Sequence, residues 1–242
     1  MIFAIIMTAF LFLSFLSINL TEMRMVPVGL RLMPLIEATL LWVFVLSRGN
    51  RGWLWILFLI QYYIIFVFIV AMAGAGLAGA ILDREHNIGP VTLGNPRGEK
   101  TIAAIYHPGG TDYTGKFLRA MGERLAGTEY RLIMHSARRG LQIDLAGAEA
   151  VILASPVYAG QIRPPVKRFI ERGLAGKRCV LILTGGGAAM PEKEFAQAVP
   201  LIEKKGGEVI AKGKFAQSKD ESKLREEAAA FTGRMLEELG KE

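Results

Sequence analysis

The chain has 242 residues, room for one or two domains, and 29 Lys and Arg against 22 Asp and Glu give a net charge of +7. Its single cysteine, Cys179, excludes an internal disulfide and any multi-cysteine metal site. No basic stripe is interleaved with aromatic residues, so nucleic acid is not an expected partner, whereas the positive excess suits anionic lipid headgroups.

Residues 1–82 are dominated by Ile, Leu, Phe, Val, Ala and Met and predict an all-α transmembrane region of about three spans. The first twenty residues, MIFAIIMTAFLFLSFLSINL, carry no charged side chain. At about 1.5 Å per residue, such a helix matches a hydrocarbon layer of about 30 Å. A secretory signal would need a basic start and a small-residue cleavage site, and neither is present. Residues 26–47 predict a second span, with Arg31 and Glu37 inside it. An intramembrane carboxylate is a functional candidate by default. Pro34 at a helix start would instead put Glu37 in a first turn favoured by the helix dipole, with Arg31 snorkelling to the headgroups. Residues 53–82 form the clearest span, uncharged and long enough to tilt, with Trp53 and Trp55 at one end.

Gly74, Gly76 and Gly79 in that span spell G-x-G-x-x-G. The motif holds a dinucleotide only between a strand and a helix of a βαβ unit. Inside an apolar span, small residues such as Ala75 and Gly79 are expected to admit a neighbouring helix. Arg24, Arg31, Arg84, Arg97 and Lys100 fall on one side of a three-span topology, and Arg48 and Arg51 on the other. The excess predicts an integral protein of the cell membrane with its C-terminal domain in the cytoplasm. Residues 83–99, rich in Gly, Pro and Asn, read as an irregular linker, and His86 within it has no partner at metal-ligand spacing.

From residue 100 to 242 strand and helix patterns alternate. TIAAIY, EYRLIM, EAVILA, RCVLILT and GEVIAKGKF predict five strands. TGKFLRAMGERLAG, PPVKRFIERGL, PEKEFAQAVPLIEKKG and DESKLREEAAAFTGRMLEELG predict the helices, with a disturbance at Pro200. The expected fold class is α/β: a doubly wound, five-stranded parallel sheet with helices on both faces. Ligands of such sheets bind beyond the carboxyl ends of the strands, where the strand order reverses. The loops HPGGTDYTG, SPVYAGQIRP and TGGGAAMP therefore carry the functional question. They lack long charged side chains placed for acid–base chemistry, so no catalytic residue and no metal site is predicted. A Gly/Thr loop entering a helix is an anion cradle, which makes Gly109, Gly110, Thr111, Tyr113 and Thr114 candidates for holding a phosphate. Glycines in the other loops let backbone approach a flat ligand, on which Tyr158 is placed to stack. Cys179 reads as a small core hydrophobe, and Arg163, Lys167, Arg168 and Arg172 as a solvated helix face that also suits headgroups or an acidic redox partner.

Residues 100–240 resemble the flavodoxin family, most specifically in SPVYAGQIRPPVKRFI and LILTGGG. The resemblance implies a flavodoxin-like fold and FMN as cofactor. It also implies that Pro156, Val157, Tyr158, Ala159 and Gly160 line one side of the isoalloxazine ring, and Thr184, Gly185 and Gly186 the other. The first loop departs from the family pattern: Thr111 and Thr114 match, Gly109 replaces a hydroxyl residue, and Asp112 replaces a glycine. A carboxylate there repels a phosphate unless it points away. The implied function is electron transfer between FMN and a membrane redox protein or quinone, by a domain held at the lipid bilayer. Two alternatives stand beside it: a flavin-dependent dehydrogenase or quinone reductase acting on a small substrate, and an interaction module that has lost FMN.

Overall fold

The computed structural model of the chain describes residues 88–241 except 159, 175 and 186–190, together with residues 5, 7–9, 11–13, 15, 32, 34–39, 41, 42, 62, 63, 65–71 and 74. The chain divides into two compact units, Met1–Leu82 and Asp83–Glu242. In the first unit the described residues are helical. Leu11, Glu37, Leu41 and Ile69 are buried, while Leu35, Ile36, Val67 and Phe68 are exposed. Trp42 Nε1 donates to Thr8 Oγ1 at 2.9 Å. Among the described residues no helix is long and apolar enough to cross a membrane. Most of the three predicted spans, the Ala75 and Gly79 contact and His86 lie outside the described residues.

The second unit runs β1 (Val91–Gly94), β2 (Lys100–Tyr106), α1 (Tyr113–Leu125), β3 (Tyr130–Ser136), β4 (Ala148–Tyr158), β5 (Gln161–Ile162), α2 (Pro164–Glu171), β6 (Arg178–Gly185), α3 (Pro191–Lys204), β7 (Glu208–Ala216) and α4 (Glu221–Leu239). The sheet order is β1-β3-β2-β4-β6-β7, and β5 pairs only with β4. The five predicted strands, β2, β3, β4, β6 and β7, are mutually parallel. The chain leaves β2 for β3 on one side, then crosses back over β2 to β4. The order therefore reverses between β2 and β4, and the cleft is expected there.

Alternation along the strands feeds two cores. Ile102, Ala104, Ile152 and Ile182 pack with Phe117, Met121, Phe231 and Met235 of α1 and α4. Ala103, Ile105, Val151, Leu153 and Leu181 pack with Val166, Ile170, Ala198 and Ile202 of α2 and α3. Burial on both faces explains why the central strands read as unbroken apolar runs. Removing one such side chain, as in Ile152→Ala, is expected to cost about 2–5 kcal/mol.

The structure corrects three local expectations. Val91–Gly94, placed in the irregular linker, pairs antiparallel with β3. It covers what would otherwise be an open sheet edge. The segment after the third predicted strand is a hairpin, not a loop. β4 continues through Tyr158, Gly160 turns at φ 75°, and Gln161–Ile162 pairs back. The helix over Pro191–Lys204 is continuous through Pro200. Pro200 and Ala196 are both exposed, so the carbonyl that loses its helical partner lies on the solvent side.

Candidate functional site

At the carboxyl rim between β2 and β4 lies a small cleft open to solvent. Its walls are Pro108, Gly109, Thr111, Tyr113, Thr114, Pro156, Tyr158, Thr184, Gly185 and Gln217. Eight of these are residues singled out in the sequence, drawn from three separate rim segments. Gly110 is exposed at the loop tip and lines no part of the cleft. Val157 points into the core with α2 and α3, and Gly160 serves the hairpin turn. Both belong to the wall's support rather than its surface. Ala159 and Gly186 lie outside the described residues. Pro108 and Gln217 are cleft residues that the sequence pattern missed. Pro108 is adjacent to the marked glycines, but Gln217 follows the last strand and carries no motif signal.

The loop after β2 is shaped by two contacts. His107 is fully buried, its N–H donates to Ala154 O at 3.1 Å, and its Nδ1 accepts from Gly109 N at 3.0 Å. Gly109 has φ 69°, and a Cβ on it would sit 3.1 Å from Pro156 Cγ and 3.4 Å from the Tyr158 hydroxyl. Glycine is thus required both by the backbone and by the close approach of the opposite wall.

Asp112 stands at the N-terminus of α1 with φ 52° and makes no side-chain cap. Its carboxylate folds over the first turn, where a Cβ on Gly115 would overlap it, and pairs with Arg119. Asp112 does not line the cleft. The carboxylate thus stays out of the cleft wall, and one of its oxygens is paired with the neighbouring guanidinium. This conformation favours glycine, yet Asp tolerates it better than most side chains.

The floor is built from hydroxyls. Thr114 Oγ1 and Thr184 Oγ1 are 2.8 Å apart, and both residues are buried. One proton is shared between them, so the other hydroxyl keeps a proton to donate. Thr111 Oγ1 accepts from Gln217 Nε2 at 3.0 Å, which leaves the Thr111 proton free to donate as well. The first-turn amides of α1 have no intrahelical acceptor. No Lys, Arg, Asp or Glu lines the cleft. An anion here would meet amides, hydroxyls and the positive end of the helix dipole.

The aromatic residues divide by role. Tyr158 is 37% exposed, and the Arg163 guanidinium carbon lies 4.8 Å from its ring centroid. Arg163 N donates to Ser155 Oγ at 2.9 Å, closing the hairpin beneath that ring. Tyr113 is buried and its hydroxyl donates to Ala216 O at 3.0 Å. Burial pushes its phenol up, the Glu227 carboxylate adds to this, and the Ser218 N–H opposes it. Tyr106, beneath the loop, is likewise raised, first by burial and then by Asp112. Cys179 is buried and its thiol is pushed up to about 12, chiefly by desolvation, which suits a core residue. Among the described residues no cluster of three or more His, Cys, Asp or Glu is placed to hold a metal ion.

A family model, the flavodoxin domain, matches residues 103–235. The chain belongs to the flavodoxin family. Curated proteins offer no match. Solved structures similar to this flavodoxin-family chain include flavodoxin 1 from Bacillus cereus, 11% identical, with 57% of this chain and 98% of that one covered at a TM-score of 0.45. Flavodoxin 2 from Bacillus cereus is 18% identical over 57% and 98%, with a TM-score of 0.45. A WrbA-like flavodoxin from Agrobacterium tumefaciens is 17% identical over 57% and 99%, with a TM-score of 0.41.

Proposed function

We propose that this flavodoxin-family chain binds FMN in the rim cleft and exchanges electrons with a redox protein or quinone at a membrane. Flavodoxin-fold homologues bind FMN. The observation that carries the reading is the cleft's uncharged, donor-rich floor, made by Thr111, Thr114 and Thr184 at the mouth of α1, opposite a half-exposed Tyr158. These hydroxyls and the first-turn amides would hold the phosphate end, and Tyr158 would pack on the ring. Gly109 and Gly185 would let backbone come close to it. When bound, FMN supplies one- and two-electron transfer, and the protein sets its position and surroundings. That Asp112 stays out of the cleft wall and pairs with Arg119 supports FMN binding over the reading of a domain that has lost its cofactor.

Residues 1–82 are proposed to anchor the domain in the cell membrane, with the C-terminal unit in the cytoplasm. The uncharged stretches of the sequence and the exposed Leu35, Ile36, Val67 and Phe68 support this. Two measurements test the proposal. FMN titrated with the full-length chain should bind saturably at one per chain. After an alkaline carbonate wash of cell membranes, the chain should stay in the pellet. Absence of FMN binding contradicts the first part, and release into the supernatant contradicts the second.

A further inference from the structure

Gln217 lies one residue beyond β7, outside the three rim segments that carry the sequence pattern. Its backbone N–H donates to Gly185 O at 2.8 Å, which fixes it to the end of β6. The preceding residue, Ala216, accepts the Tyr113 hydroxyl at 3.0 Å. Its own Nε2 donates to Thr111 Oγ1 at 3.0 Å. The segment after β7 is thus a strap that ties the first loop to the ends of β6 and β7. The side chain that reaches Thr111 is exposed and lines the cleft.

A threonine hydroxyl has one proton and two lone pairs. With Gln217 donating, Thr111 gives up a lone pair and keeps its proton for the cleft. With the Gln217 amide turned over, its carbonyl would take that proton, and Thr111 would face the cleft as an acceptor. An anion stabilises the first arrangement and is repelled by the second. We infer that Gln217 is a specificity-determining residue: it holds Thr111 as a donor to a phosphate monoester, and so makes the cleft prefer a phosphorylated flavin to the unphosphorylated one. This rests on the reading that FMN occupies the cleft. Gln217 acts through Thr111 and is a positioning residue.

The test compares FMN with riboflavin, using quenching of flavin fluorescence by the full-length chain in detergent. The quantity read is the ratio of the two dissociation constants. Gln217→Glu takes the Thr111 proton and adds a charge, so FMN affinity should fall by about 30-fold or more while riboflavin affinity changes by less than about threefold. Gln217→Ala should lower the preference for FMN by about three- to tenfold. In a Thr111→Val background, Gln217→Ala should change nothing further. Thermal melts of each variant report folding separately. Equal weakening of both flavins, or an unchanged ratio in Gln217→Glu, overturns the inference. A wild-type chain that binds both flavins equally overturns it too, but leaves the cofactor site standing. A wild-type chain that binds neither overturns both.

Discussion

Replacing Thr114 by Val separates what its hydroxyl does for the fold from what it does for a ligand. The two residues are nearly isosteric, so the packing of α1 against the sheet is kept. The hydroxyl is buried and lies 2.8 Å from that of Thr184 on β6. Removing one partner strands the other away from water, at a cost of about 1–3 kcal/mol. For a unit of this size that lowers the melting temperature by about 2–4 °C per kcal/mol. Removing both hydroxyls, in Thr114→Val with Thr184→Val, leaves no stranded group and should recover most of the loss. FMN affinity should behave differently. The pair keeps one proton to give to the phosphate, a donor that either hydroxyl alone can still supply and that only the double variant gives up, and a hydrogen bond to a charged group contributes about 1.5–3 kcal/mol, or roughly 10- to 150-fold. Stability should therefore return in the double variant while FMN affinity falls. Thermal melts and flavin titrations on the four chains make the comparison. Additive losses of stability would show that the two hydroxyls are not one buried pair. FMN affinity that holds in the double variant would show that the floor matters only structurally.

Gly109→Ala should destabilise the second unit by about 1–2 kcal/mol, since φ 69° disfavours a side chain and Pro156 stands 3.1 Å from the new Cβ. A guanidinium denaturation midpoint unchanged from wild type would contradict the loop geometry. Asp112→Gly should leave the melting temperature unchanged or raise it slightly, because glycine adopts φ 52° without strain. A clear fall would show that the Arg119 pair matters more than the backbone. Cys179 should resist maleimide in the native chain at pH 8 and react once the chain is unfolded. Its folded value lies above the ordinary 9.0, so the folded state binds the extra proton between those limits. Stability should therefore decline as pH rises from about 9 towards about 12. Rapid native labelling would contradict burial.

The sequence displays those features that are repeated along the chain or concentrated in a short motif. The doubly covered strands announce themselves because Ile102–Ile105, Val151–Leu153 and Val180–Leu183 are apolar on both faces. Glycines and threonines mark the rim because they gather directly after those strands. β1 escapes notice because four residues between Pro90 and Asn95 carry too little pattern, and only the open edge of β3 makes them a strand. Gln217 escapes for another reason. Its position comes from the pairing of β7 with β6, a contact between distant segments, and a lone glutamine has no spacing to read. The direction of the Asp112 carboxylate is local in origin but carries no motif. It depends on a left-handed backbone and on Arg119, two turns along α1.

The most direct test is a titration of FMN with the full-length wild-type chain beside its Thr114→Val, Thr184→Val double variant, followed by flavin fluorescence. A hydroxyl floor that grips the phosphate predicts saturable one-to-one binding by the wild type and at least roughly tenfold weaker binding by the double variant. Equal affinity in the two chains, or no binding by either, would contradict a phosphate site at the mouth of α1.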